Sequence, residues 1–328
     1  MTPPGASPWL LWAAVTFGLG LLPAVARADG DARHWLARMK NAASGSNYQG
    51  TLVFSAGGAM SSSRVWHYRI GEHSFERLEA QDGRQQRIYR HNDEVRTVWP
   101  QLQMAVVERR EALAAGSTTP QSVDPRAAEN YDIRHEGEAR IAGREAAVLV
   151  LTPRDALRFM QRLWADRATG LMLRADVVAA NGGLLESSAF STIELDVKPQ
   201  AETVLQAMRQ DEGLRIVRPQ LRRTSLQAEG WVLARPVPGF RLAGCVLRGL
   251  EAGANDLPML HAVFSDGLTH VSVFVERFNA ERHRLEMQAK RGATNTAMRR
   301  VGEDWLTVVG DVPPAALKRF TEALERRR

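Results

Sequence analysis

The chain has 328 residues, of which 44% are hydrophobic and 24% are charged, and it contains one cysteine. This length is typical of two domains, and the composition excludes both wholesale disorder and a membrane protein with many spans. A single cysteine excludes an intramolecular disulfide and a four-cysteine zinc site. The net charge of +6 does not indicate nucleic-acid binding, because the arginines are spread along the chain, mostly beside acidic residues, and form no single basic stripe.

Near the start of the chain, residues 9–25 form an uncharged apolar stretch, and Ala24-Val25-Ala26 and Ala26-Arg27-Ala28 at its end both fit an A-x-A pattern. Such a run before an A-x-A cleavage pattern is typical of a secretory signal peptide. A membrane anchor is the alternative, but the run is shorter than the about 20 residues that span a bilayer, and it is interrupted by glycines and a proline. We therefore expect a cleaved signal peptide at 1–28 and an exported protein.

The pattern after this segment predicts one helix and then a long series of strands. Residues 31–43 place Trp35 and Met39 on one helical stripe. Between 48 and 195 the hydrophobic period changes to two, and we count about eleven short strands at the spacing of an antiparallel meander. A sheet of that size must curl or close. The first domain is therefore predicted to be one large twisted sheet, with the helix before it.

A linker and a second domain are predicted for the rest of the chain. Residues 198–230 are polar and poor in strand patterns, although 202–209 could form a short helix. Strand patterns return from Trp231 onward, and Pro313-Pro314 open a final helix. The predicted division is a signal peptide at 1–28, a first domain at 29–197, a linker at 198–230 and a second domain at 231–328.

The sequence contains no motif that indicates an enzyme. Its eight histidines form no HExxH zinc motif, and it has neither a P-loop nor a dinucleotide-binding glycine motif. Ser265 with His261 or His270 nearby is the hydrolase alternative. That alternative lacks the G-x-S-x-G elbow, and Ser-Asp-Gly is ordinary turn chemistry. We therefore expect no catalytic residue, no metal and no cofactor.

Several motifs follow one another in an order that one family shares. They lie at 48–54, 140–144, 153–159, 162–174, Trp231 with 238–240, and 264–276. The stretch RLWADRATGLMLR at 162–174 resembles the family signature RLW-D--TGLLL, and SDGLTHVSVFVE at 265–276 resembles SDGL--VSVF-E. With these motifs the chain resembles the MucB/RseB family over about 31–325. Ala165 and Val237 depart from the usual pattern without disturbing the assignment.

This resemblance implies a periplasmic negative regulator of the sigma-E envelope-stress response. It implies binding to the periplasmic region of a membrane-spanning anti-sigma factor, RseA or MucA, which is thereby shielded from site-1 proteolysis. The implied fold is α+β: an N-terminal half-open antiparallel β-barrel packed on helices, similar to LolA and LolB, and a smaller C-terminal α+β domain. An acyl chain of lipopolysaccharide or a lipoprotein is the implied releasing signal, and a homodimer is also implied.

Candidate site residues follow from alternation and motif position. The predicted lipid pocket uses large apolar strand residues, which are equally typical of an ordinary core: Leu52, Phe54, Trp66, Tyr68, Trp99, Met104, Phe159, Trp164, Leu173 and Phe190. The predicted partner interface uses Phe240, Phe264, Asp266 and Phe274. The alternative function is a periplasmic lipid or lipoprotein carrier or chaperone without a signalling role. The second domain distinguishes the two, because a carrier of the LolA type needs only the first domain.

Overall fold

The computed structural model describes residues 24–109, 123–249, 258–283 and 288–327, without the side chains of 24–32 and 288. Within these ranges the helices are α1 (Ala24–Gly45), α2 (Ala201–Arg209) and α3 (Pro314–Ala323), with 3-10 turns at Pro100–Leu102 and Pro125–Glu129. Residues 1–23 of the predicted signal peptide, 1–28, lie outside the described residues. No helix in the described part of the chain is long and apolar enough to cross a membrane.

Twelve of the described strands form one large sheet. They are β1 (Tyr48–Ala56), β2 (Ala59–Ile70), β3 (His73–Ala80), β4 (Arg87–His91), β5 (Glu94–Trp99), β6 (Met104–Arg109), β7 (Tyr131–Ile141), β8 (Arg144–Pro153), β9 (Met160–Asp166), β10 (Met172–Val178), β11 (Leu184–Leu195) and β12 (Arg215–Val217). Two antiparallel meanders, β1 to β6 and β7 to β11, meet where β1 pairs with β11. Eleven strands lie between 48 and 195, which confirms the predicted series. The sheet is open between its edge strands β7 and β12.

The large sheet packs its two ends against different helices. Trp35, Leu36 and Met39 of α1 are buried against strands β7 to β10, whereas Val204 of α2 is buried against strands β2 to β6. Helix α1 begins at Ala24, earlier than the 31–43 that hydrophobic periodicity predicts. The alanines at 24, 26 and 28 explain the difference, since alanine has the highest helix propensity and extends the helix without contributing to a stripe.

The second domain is a smaller sheet covered by one helix. Its elements are β13 (Gln220–Arg223), β14 (Trp231–Leu233), β15 (Arg241–Gly249), β16 (Met259–Ser265), β17 (His270–Arg277), β18 (Gln288–Arg291), β19 (Thr294–Val301), β20 (Asp304–Gly310) and β21 (Leu324–Arg326). Seven of these strands form the small sheet, and β14 pairs with β21 in a separate ribbon. Leu317 and Phe320 of α3 are buried among Phe264, Val308 and their neighbours. Cys245 lies in the same core, and burial raises the pKa of its thiol to about 11.

The segment 198–230, predicted as a linker, contributes to both sheets. It contains α2, then β12, which pairs in parallel with β6 of the large sheet, and then β13, which pairs with β15 of the small sheet. Only Arg218 and Pro219 lie between the two strands. Strands of three and four residues are too short to show a period, which is why alternation in the sequence does not predict them.

Gly50 lies where β1 approaches β11 too closely for a side chain. A Cβ there would collide with the carbonyl oxygen of Thr192 and lie 3.1 Å from the ring of Phe190. We expect Gly50→Ala to lower the free energy of unfolding by about 1–3 kcal/mol, because the strands must move apart. The control is Gly45→Ala, whose Cβ would have no atom within 4 Å and should change stability by no more than about 0.5 kcal/mol. Urea unfolding followed by tryptophan fluorescence measures both, and equal losses would contradict this explanation.

Candidate functional site: the junction of the two domains

A buried ion pair joins the two domains. Asp266, in the turn between β16 and β17, accepts a hydrogen bond of 2.7 Å from Nε of Arg158, in the loop between β8 and β9. Neither side chain is exposed at all. The same carboxylate oxygen lies 3.3 Å from the hydroxyl of Tyr131, a phenol whose pKa is raised by burial and which therefore remains a donor. The other oxygen accepts the backbone N–H groups of Leu268 and Thr269.

The guanidinium of Arg158 is satisfied on all sides. Its Nη1 donates to Asp155 at 2.6 Å, its Nη2 donates to the carbonyl of Pro238 at 2.9 Å, and the ring of Phe240 lies 4.6 Å from its central carbon. Gly239 has a φ of +74°, and a Cβ there would collide with the guanidinium. Because a buried charge is tolerated only when it is fully paired, this arrangement fixes the second domain on the first.

A second contact between the domains lies in the middle of the large sheet, where Ala56 of β1 pairs with Glu186 of β11. Glu186 on β11 accepts the backbone N–H of Ala293 at 3.0 Å, beside Gly292 in the turn between β18 and β19. Gly292 has a φ of +60°, and a Cβ there would lie 2.7 Å from Oε1 of Glu186 and 2.9 Å from Cβ of Ala56. Burial, together with the charge of Asp311, raises the pKa of Glu186. The turn must therefore keep glycine for the two domains to meet here.

A cavity of about 550 Å³ lies between the large sheet and the second domain. Its apolar lining from the large sheet includes Leu52, Phe54, Leu78, Leu163, Met172 and Leu173. The second domain contributes Leu268, Thr269, His270, Ser272, Thr294, Val309, Gly310 and Asp311. Its volume falls within the about 300–1,000 Å³ of small-molecule sites. Since both domains supply its walls, the cavity exists only while they are docked.

Three of the ten predicted lipid-pocket residues, Leu52, Phe54 and Leu173, line this cavity. Trp164 and Phe190 belong instead to the buried core of the large sheet, and Tyr68 to the core under α2. Phe159 is also buried, whereas Trp66, Trp99 and Met104 are half-buried outside the cavity lining. Seven of the ten thus lie away from the cavity.

The predicted interface residues lie mostly inside the second domain. Phe240, Phe264 and Asp266 are buried, and Asp266 is the partner of Arg158 described above. Phe274 is half-buried and stacks on His261 with 4.1 Å between ring centroids. Ser265 accepts the backbone N–H of Gly267, as a turn residue does.

Sequence reasoning missed the residues that carry the junction: Arg158, Glu186, Gly292 and Asp311. Arg158 lies inside the family motif at 153–159, but the motif indicates no role for this arginine. Glu186 and Asp311 had no signal, because single acidic residues near strand ends are common on solvated surfaces. In the described ranges no group of three or more His, Cys, Asp or Glu side chains could hold a metal ion.

Comparison with protein families gives matches over both domains. The model of the MucB/RseB N-terminal domain matches residues 31–208, and that of the MucB/RseB C-terminal domain matches 225–325. The sigma factor AlgU regulatory protein MucB of Pseudomonas aeruginosa is 31% identical over 92% of this chain and 93% of its own length. The sigma-E factor regulatory protein RseB of Escherichia coli K12 is 24% identical over 96% of this chain and 98% of its own.

Solved structures resemble the chain over both domains as well. A complex of Pseudomonas aeruginosa MucA and MucB contains a chain that is 26% identical, with a TM-score of 0.68, over 91% of this chain and 99% of that one. A crystal structure of MucB matches with a TM-score of 0.64 and 25% identity, over 91% of this chain and 98% of that one.

The junction ion pair predicts a large difference between two Asp→Asn variants. Asp266→Asn removes the fully buried partner of Arg158 and leaves its charge with the partly exposed Asp155 alone, so it should lower the free energy of unfolding by about 3–5 kcal/mol. Asp132→Asn removes a pair of similar length, 3.0 Å to Arg154, between side chains that are half exposed. That loss should not exceed about 1 kcal/mol. Urea unfolding of both variants is the measurement, and a small loss for Asp266→Asn would contradict the role given to the pair.

His261 predicts a pH dependence of stability. Burial, with the charge of Arg248, lowers the pKa of this imidazole from 6.5 to about 4. Between those values the unfolded chain binds the proton and the folded chain does not, so stability is lost as the pH falls from 6.5 towards 4, by at most about 3 kcal/mol. His261→Gln should flatten this fall, whereas His34→Gln, on the exposed side of α1, should not. Urea midpoints at about pH 7.5 and 5 test this, and the same fall in both variants would contradict it.

Proposed function

The chain belongs to the MucB/RseB family, and on that premise we propose that it is a periplasmic negative regulator of the sigma-E envelope-stress response. It binds the periplasmic region of a membrane-spanning anti-sigma factor of the RseA/MucA type and shields it from site-1 proteolysis. The observation that carries this proposal is the match to a chain of the MucA/MucB complex over 91% of this chain, both domains included. The predicted signal peptide at 1–28 supports the periplasmic location.

A bound partner of this kind contacts both domains in the arrangement that the Arg158–Asp266 pair maintains. The releasing signal is an acyl chain from lipopolysaccharide or a lipoprotein, which occupies the cavity at the junction. Its apolar lining supports this part of the proposal, because each buried methylene contributes about 0.8 kcal/mol to binding. A ligand between the domains changes their relative position and weakens the contacts that the partner makes with both.

The large sheet curls around the cavity as a half-open barrel of the LolA/LolB type. Support comes from Leu78 on β3 and Leu163 on β9, which line the same cavity although four strands separate β3 from β9 in the sheet.

A homodimer is a further part of the proposal and rests on the family resemblance alone. The proposal also keeps the domain boundaries that the sequence predicts, and it includes no catalytic step.

A carrier without a signalling role is the second candidate, and the apolar cavity is the observation that favours it. The second domain argues against it, because residues 225–325 match the MucB/RseB C-terminal domain and supply a wall of the cavity. A carrier of the LolA type needs only the first domain.

Titration calorimetry of residues 29–328 against a peptide of the anti-sigma factor's periplasmic segment, taken from the same bacterium, tests the proposal. We expect the peptide to bind saturably, and we expect an acyl ligand to lower the affinity for the peptide. The peptide must then lower the affinity for the acyl ligand by the same factor. Acyl binding without any peptide binding would favour the carrier. Equal acyl affinity with and without bound peptide would contradict the coupling.

A further inference from the structure

The junction cavity is apolar at one end and acidic at the other. Along β1 and β11, Phe54 pairs with Ser188, and Ala56 pairs with Glu186 two positions further on. Leu52 and Leu173 line the cavity from within the core of the large sheet. The lining therefore changes from Leu52 and Phe54 on β1 to the carboxylate of Glu186 on β11 within about four residue positions along this pair of strands.

A second carboxylate from the other domain meets Glu186 at this end. Asp311 follows β20 and accepts a hydrogen bond of 2.6 Å from Oγ1 of Thr294, whose backbone N–H donates to Glu186. The two acids therefore meet around one threonine, and the charge of Asp311 contributes to the raised pKa of Glu186. This is one acidic site built from both domains.

The lining supplies no free positive charge to balance these two acids. Of the cavity residues that the structure describes, Arg174 and His270 are the ones able to carry such a charge. Arg174 donates to both oxygens of Asp176, at 2.8 and 2.7 Å, and its charge is thereby balanced. Burial lowers the pKa of His270, which keeps the imidazole neutral near pH 7. The lining thus has an excess of two negative charges when both acids are ionised.

This excess selects the head group of any acyl ligand. An anionic head group placed near the two acids is repelled, and in a partly buried site that repulsion is stronger than in water. A protonated primary amine has three N–H donors and no acceptor, and carboxylate oxygens accept several hydrogen bonds each. An amine next to a phosphate brings an anion into the same site and loses this advantage.

On the basis of the acyl-binding part of the proposed function, we infer that the cavity takes an amphiphile with one acyl chain and a protonated primary amine, with the amine between Glu186 and Asp311. The chain lies along Leu52, Leu173 and Phe54. Phe54 lines the cavity and is 42% exposed, which leaves its ring available to the ligand. Among acyl signals, this charge pattern favours an amine-bearing lipid over one that is rich in phosphate.

Four probes with the same twelve-carbon chain test the inference on residues 29–328 at about pH 7, each below its micelle concentration. Dodecylammonium should bind at least about tenfold more tightly than dodecyl sulfate, with the uncharged dodecyl maltoside between them. Dodecylphosphocholine, which places a phosphate beside its cation, should bind more weakly than dodecylammonium. Titration calorimetry gives all four affinities.

The double variant Glu186→Gln, Asp311→Asn removes the charges but keeps an acceptor oxygen for Ala293 and for Thr294. It should weaken dodecylammonium at least about fivefold, leave dodecyl maltoside within about twofold and strengthen dodecyl sulfate. Glu72→Gln, whose side chain is 98% exposed in the turn between β2 and β3, is the control and should change none of these affinities. Urea unfolding of each variant shows whether it is folded.

The outcomes separate this inference from the function on which it rests. Dodecyl sulfate binding as tightly as dodecylammonium to the unmodified chain would overturn the inference and leave acyl binding in place, whatever the fold of the variants. A preference unchanged in a folded double variant would also overturn it. Failure of all four probes to bind would overturn the acyl-binding part of the proposed function, and this inference with it.

Discussion

The arrangement of the two domains depends on one buried charge pair, Arg158 with Asp266. Transferring both charges out of water is costly, and in such a pair the attraction often does no more than offset that cost. The pair instead fixes the orientation of the two domains, because an immobile guanidinium and an immobile carboxylate form their hydrogen bonds in one orientation only. Asp155 and the carbonyl of Pro238 each accept a hydrogen bond from one of the two Nη nitrogens of the arginine, and Tyr131 donates to the aspartate. Because these groups come from both domains, the two buried charges are fully paired only while the domains are docked.

The cavity follows from that constraint. Its walls come from a large sheet and a small sheet, each with its own hydrophobic core, so the space between them is not needed for either to fold. The junction is held by polar contacts and by Leu157 and Leu268, each packed against the core of the other domain, and it encloses an apolar cavity. Such a junction suits a protein that must respond to a ligand. A junction packed with apolar side chains would be more stable, but it would leave no room for one. This difference separates a regulator with two domains from a simple carrier, in which the cavity lies within one sheet.

The sequence predicts much of the fold and little of the junction, for physical reasons. Hydrophobic alternation over 48–195 reflects burial of one face of most strands, so β1 to β11 are visible in the sequence. Strand β8 is buried on both faces and is visible as a continuous apolar run. Strands β12 and β13 are too short to show any period. Asp266 occurs in a Ser-Asp-Gly turn, a pattern typical of exposed turns, and its partner Arg158 lies 108 residues away. Likewise, Leu52, Trp164 and Phe190 are alike in the sequence, although of these three only Leu52 lines the cavity. On β9 the neighbouring Leu163 lines the cavity, so pleating turns Trp164 to the opposite face.

The short connection between β12 and β13 limits how the domains can move. Two residues, Arg218 and Pro219, span at most about 7 Å, and proline fixes one of the backbone angles. With β12 held in one sheet and β13 in the other, this connection limits how far the domains can slide past each other or separate, and it restricts a swing about this point least. The width of a ligand bound between the two sheets therefore determines the angle between the two domains. At such a hinge the length of a bound acyl chain determines its affinity, whereas its width determines how far the two domains swing apart.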